Sequence, residues 1–164
     1  MRNNLRRLTS LALAISFALI LSFIESKIPA FVAIPGIKVG LANIAVIFML
    51  YKFGAKEAVI VSLIRVLLVS MLFGSVASMF YSIAGAVLSL SIMIILKKFT
   101  PLKEVAISVI GGVMHNIGQI VMASILLDTN VVVYYLPFLL VSGTLAGIVV
   151  GITAALLIKK IKLK

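Results

Sequence analysis

Six apolar runs separated by short polar breaks constrain this chain more than any other feature. They cover residues 8–24, 39–51, 58–73, 77–96, 105–127 and 131–158. A helix needs about 20 predominantly apolar residues to cross a bilayer, within a range of about 17–25. The first run and the last three reach that length. The third is slightly short and the second clearly so. Hydrophobic residues make up 63% of the 164 and charged residues 12%, against roughly half and a quarter in a soluble domain. The expectation is an all-α integral membrane protein with six transmembrane helices, in a single domain over residues 1–164.

The basic residues sort the breaks between two sides. Arg2, Arg6 and Arg7 precede the first run, and Lys52 and Lys56 follow the second. Lys97, Lys98 and Lys103 follow the fourth, and Lys159, Lys160, Lys162 and Lys164 end the sequence. Only Lys27 and Lys38 lie between the first and second runs. Six crossings from an inner N-terminus put twelve basic residues inside and two outside, with Arg65 within a span. That asymmetry follows the positive-inside rule. It predicts a multi-pass protein of the cell membrane with both termini cytoplasmic. It also accounts for the net charge of +11 without nucleic acid, since cations at helix ends attract anionic lipid headgroups. The Arg-rich start and apolar stretch also have the form of a signal peptide. The run is long for one, however, and no A-x-A cleavage site follows before Glu25.

Helix punctuation falls where these boundaries need it. Pro29 and Pro35-Gly36 break the first outer loop, and Thr100-Pro101 precedes the fifth helix. Glu104 lies near that helix's start, where the dipole favours an acid. Asp128, Thr129 and Asn130 form a short outer turn. The second run reads as an extended approach through Pro35, Gly36, Lys38 and Asn43, then a short helix. Non-helical backbone at membrane depth is tolerated only where protein or water covers it, and broken segments of this kind line substrate cavities in transporters. A plain outer loop followed by a short tilted helix fits the same residues.

Small residues recur at one-turn spacing on three helices. They are Ser10, Ala14, Ala18 and Ser22 on the first, Ser78, Ser82, Gly85 and Ser89 on the fourth, and Gly143, Gly147, Gly151 and Ala155 on the last. Such stripes let helices approach closely in lipid, either within one bundle or against another membrane subunit.

The chemistry available is narrow. With no Cys, neither a disulfide nor a Cys-based metal site is open. The acids are Glu25, Glu57, Glu104 and Asp128, far apart in sequence, and one His gives too few ligands for a metal. No cofactor is implied. Ionisable residues within spans are costly, which singles out Arg65 in the third run. It must face protein, water or a ligand, or else be capped by backbone carbonyls. His115 and Gln119 are four apart and share a helix face, with Asn116 beside them and Gly111, Gly112 and Gly118 thinning the helix around the patch. A lone His is more often a hydrogen-bonded core residue, yet three polar side chains together at bilayer depth point to binding.

These residues carry a resemblance. PGIKVGLAN at 35–43, SLIRVLL at 62–68, YSIAG at 81–85 and HNIGQ at 115–119 occur in order over most of the chain. The chain resembles the prokaryotic membrane proteins called heptaprenyl diphosphate synthase component I, also known as the Gx transporter family. That family looks like the S components of energy-coupling factor (ECF) transporters, six-helix substrate-capture proteins with both termini inside. The resemblance implies an S-component-like bundle. It also implies that Ala14 and Ala18, at Ala-x-x-x-Ala spacing on the first helix, dock a transmembrane coupling subunit. Catalytic prenyl synthases hold Mg on two aspartate-rich motifs, and this chain has one Asp. The expectation is that it is not itself an enzyme.

Two functions follow from different classes. The leading expectation is a transport-type binding subunit with an outward cavity lined by Lys38, Asn43, Arg65, His115, Asn116 and Gln119. That set is cationic and polar with no acid at depth, so its small-molecule ligand is expected to be anionic or strongly hydrogen-bonding. Without a Gly-rich nucleotide motif, such a subunit needs partner ATPases. The alternative is a non-catalytic component I, holding an isoprenoid ligand or anchoring a soluble component II. A purely structural scaffold leaves Arg65 and His115 without purpose.

Overall fold

The computed structural model describes residues 2–27 and 40–161. Pro35, Gly36 and Lys38 lie outside the described residues. Six α-helices follow one another: α1 Arg2–Lys27, α2 Asn43–Lys52, α3 Ala55–Phe73, α4 Val76–Phe99, α5 Glu104–Leu127 and α6 Leu136–Lys160. A 3-10 turn over Val131–Tyr135 precedes α6. It takes up the start of the last apolar run, and Pro137 then sits in the first turn of α6, where its missing N–H costs nothing.

Against the expectation of six crossings, the described residues form six helices, of which four are long and apolar enough to span a membrane: those over Leu5–Lys27, Val76–Phe99, Glu104–Leu127 and Val131–Lys160. The 19 residues of α3 include Lys56, Glu57 and Arg65. The 10 residues of α2 extend only about 15 Å at 1.5 Å per residue, half of a hydrocarbon core about 30 Å thick.

That short helix is the centre of the molecule. Ile44, Ala45, Val46, Ile47, Met49 and Leu50 are all buried, because α2 packs against α1, α3, α5 and α6. Ala18 of α1 is fully buried against Ala42 and Ala45. On the other side Leu90, Met93, Ile107, Val150 and Ala154 close over α2. An α2 apolar all round is what a fully enclosed helix requires. Its C-terminus is capped within the bundle. The Lys97 ammonium donates to the Leu50 carbonyl at 2.5 Å and sits 4.8 Å from the centre of the Tyr51 ring. Gly54, at φ 119°, turns the chain into α3.

A tight three-helix layer, α4–α5–α6, packs through glycine. A Cβ built on Gly118 would lie 2.8 Å from the Ala84 carbonyl oxygen, and one on Gly112 would lie 2.5 Å from that of Gly143. Gly147 meets Val109 and Gly151 meets Val105 in the same way. The glycines of the α4–α5 and α5–α6 seams therefore serve packing inside the bundle. Without a hydrophobic drive between helices in lipid, dispersion at such close approach holds them together. Large apolar residues cover the outside, among them Leu13, Ile20, Val87, Ile95, Leu145 and Ile152.

The basic helix ends come together. Arg7 of α1 forms an ion pair with buried Glu57 of α3, and Lys97 reaches the end of α2. Gly151 beside Val105 sets the start of α5 against the C-terminal half of α6, so Lys159 and Lys160 lie on the side of the bundle where α5 begins. Charge thus collects at one end of the bundle, as the sorting of breaks requires.

Candidate functional site

A cavity runs from the opposite end toward the middle of the bundle. Ser22 and Glu25 of α1, Gly40 and Asn43 at the start of α2, and Arg65 and Ser70 of α3 form one wall. Ser78, Ser82 and Ser89 of α4, with His115 and Gln119 of α5, form the other. Its volume is about 100 Å³, below the roughly 300–1,000 Å³ of pockets for drug-sized ligands. It suits a compact polar group and not a long hydrocarbon chain.

Helix geometry places each side chain. Arg65 and Val69 are one turn apart on α3, as are Val66 and Ser70, so all four share the cavity face. On α5 the face that joins His115 and Gln119 continues one turn back to Gly111 and Gly112 and on to Ser108. Gly85 of α4 lets this face approach: a Cβ there would meet both the His115 ring and the Gln119 side chain at 3.0 Å.

Arg65 is 9% exposed, and its Nε is buried with no hydrogen-bond partner. The N-terminal turn of α2 lines the same space. Asn43 N donates to Gly40 O at 2.8 Å and Ile44 N to Leu41 O at 3.1 Å, and Gly40 adopts φ 73°, a conformation that costs glycine least. A helix start and a buried guanidinium together favour negative charge.

The structure brings together Asn43, Arg65, His115, Asn116 and Gln119. Lys38 lies outside the described residues. Three expectations change. The cavity is not free of acid: Glu25 lines it together with Arg65 and accepts a hydrogen bond from Gly40 N at 2.5 Å. It stands just past the first apolar run, so distance along the sequence hid it. Asn116 is largely committed to the bundle. Its Nδ2 donates to Leu139 O at 2.5 Å and lies 3.5 Å from Ser142 Oγ, tying α5 to α6. Ala18 does not form an outer docking surface, because it is sealed beneath α2, and Ala14 packs partly buried against the core.

The lining serines were also missed as site residues. Ser22, Ser78, Ser82 and Ser89 belong to the small-residue stripes, which read as packing within the bundle or against another subunit. The stripes in fact divide: Ala18 and Gly85 pack, while the serines face the cavity. A hydroxyl on a stripe that otherwise needs only small size was the available signal. Among the described residues no three His, Asp or Glu side chains come together to hold a metal.

A bundle of apolar spanning helices around a polar internal cavity defines a multi-pass helical membrane protein. The chain belongs to the heptaprenyl diphosphate synthase component I family, whose profile matches residues 14–157. No curated protein and no solved structure matches the chain.

Proposed function

We propose that this chain is the non-catalytic membrane subunit of a heptaprenyl diphosphate synthase. Its cavity receives the anionic head of an isoprenoid diphosphate, and a soluble component II carries out chain elongation. Family membership supports the subunit assignment. The observation that carries the ligand's charge is Arg65, buried in the cavity wall with its Nε unpartnered. Leaving such a donor unmet costs about 1–3 kcal/mol or more, which an oxyanion would recover through charge-assisted bonds. Asn43, His115 and Gln119 supply further polar contacts, Asn116 holds the wall, and the tail extends toward lipid.

The test is co-expression with a candidate component II. Co-purification, and a rise of at least severalfold in its heptaprenyl diphosphate synthesis in vesicles containing this chain, is the expected result. Independent purification with unchanged synthesis overturns the assignment. Co-purification with a coupling subunit and ATPases instead would favour the second reading, a substrate-capture subunit of a transporter. That reading draws on a polar cavity lined in part by residues at the end away from the basic helix ends, Ser22, Glu25 and Ser78 among them.

The basic end is proposed to face the cytoplasm, with both termini there. The absence of native Cys allows a clean measurement. Cys placed at Lys98 should resist an impermeant maleimide in intact cells, while Cys at Asp128 should react. Rapid labelling at position 98 reverses the orientation.

A further inference from the structure

We infer that the Glu25 carboxylate is the resident stand-in for the ligand's anionic group, occupying an oxyanion site built by Arg65 and the turn that leads into α2. Glu25 reaches across from α1 to a backbone N–H in that turn, Gly40 N at 2.5 Å. It lines the same cavity as Arg65. A backbone N–H and a guanidinium are the two kinds of donor that an incoming oxyanion needs, so the chain's own carboxylate beside them marks the chemistry the cavity accepts.

The stand-in is incomplete. With Glu25 in place, Arg65 Nε still has no hydrogen-bond partner while nine-tenths of the residue is buried. Serine hydroxyls on two helices face the same space, Ser22 from α1 and Ser70 from α3. A tetrahedral group offers more acceptor oxygens than one carboxylate and reaches donors that Glu25 leaves unmet. The ligand class is therefore a compact phosphoryl oxyanion that displaces Glu25. Competition by Glu25 lowers the affinity of the empty protein for wrong or weakly held anions, a form of specificity by opposing charge.

This rests on the reading of the cavity as an oxyanion receptor. Its test needs no component II, so it succeeds or fails separately from the subunit assignment. The full chain in detergent is titrated with inorganic diphosphate, with acetate as the comparison anion, and binding is read by thermal stabilisation. Glu25→Gln removes the competing charge and keeps the shape. Since a hydrogen bond to a charged group is worth about 1.5–3 kcal/mol, the apparent Kd for diphosphate should fall by about tenfold or more. Glu25→Asp retains the charge on a shorter stem and should give an intermediate gain, which keeps the test open if the glutamine variant does not fold. Unchanged or weaker diphosphate binding in whichever of these variants folds overturns the inference, because Glu25 would then be a structural cap or a ligand-contacting residue. A response to acetate with none to diphosphate overturns the phosphoryl class.

Discussion

Gly112→Leu is expected to abolish folded protein: the variant should aggregate on size-exclusion chromatography in detergent, where the parent gives a single peak. Even a bare Cβ at Gly112 would come within 2.5 Å of the Gly143 carbonyl oxygen. The obstacle is backbone, which cannot rotate aside as a flexible side chain can. Gly112→Ala forces α5 and α6 apart by a fraction of an ångström and should cost about 1–3 kcal/mol, the usual range for overpacking. Leucine adds three more carbons to the same seam. Ile152→Ala, on the 49% exposed outer face of α6, serves as the control and should leave the peak and the melting temperature near the parent's. A monodisperse, fully stable Gly112→Leu protein would mean that the α5–α6 seam is not the close contact described.

Arg65→Met carries the second large effect. Stabilisation by inorganic diphosphate should disappear, because methionine fills the volume of the stem but offers no donor. Arg65→Lys keeps the charge and loses the fork, so stabilisation should weaken without vanishing. The empty protein separates a site residue from a structural one. Glu25 and Arg65 line one cavity, so removing the cation makes the carboxylate less favourable there, and Arg65→Met alone should lower the melting temperature. The loss should stay below the about 3–5 kcal/mol of breaking a buried ion pair, because Glu25 is partly exposed. Adding Glu25→Gln should return most of the loss, a coupling that a double-mutant cycle measures directly. A structural arginine held by backbone carbonyls behaves otherwise. The double variant would stay as unstable as Arg65→Met, and the response to diphosphate would persist.

The same two residues show why part of the site was readable and part was not. Arg65 stands out because an ionised side chain within an apolar run is costly wherever it points. His115 and Gln119 stand out because a helix places residues four apart on one face. Both arguments need only one helix. Glu25 sits outside the apolar runs in the sequence, and nothing local links it to a residue forty positions away. Its place depends on where α1 ends relative to the first turn of α2, which is a property of the assembled bundle. The same holds for Asn116. Its neighbours on α5 suggest a ligand role, yet its amide reaches Leu139 O on α6.

Composition and charge order alone determine that this is a helical membrane protein with its cations gathered at one end. Apolar length and the siting of basic residues are linear quantities, and the bilayer reads them segment by segment. Which small residues pack and which line a cavity was decided only by tertiary structure. Ala18 and Ser22 lie one turn apart on one stripe, and one is sealed under α2 while the other faces the open space. The cause is where α2 begins. Its start packs over Ala18 through Ala42 and Ala45, while Ser22, one turn further along α1, lies past that contact and lines the cavity with Arg65 and Ser70.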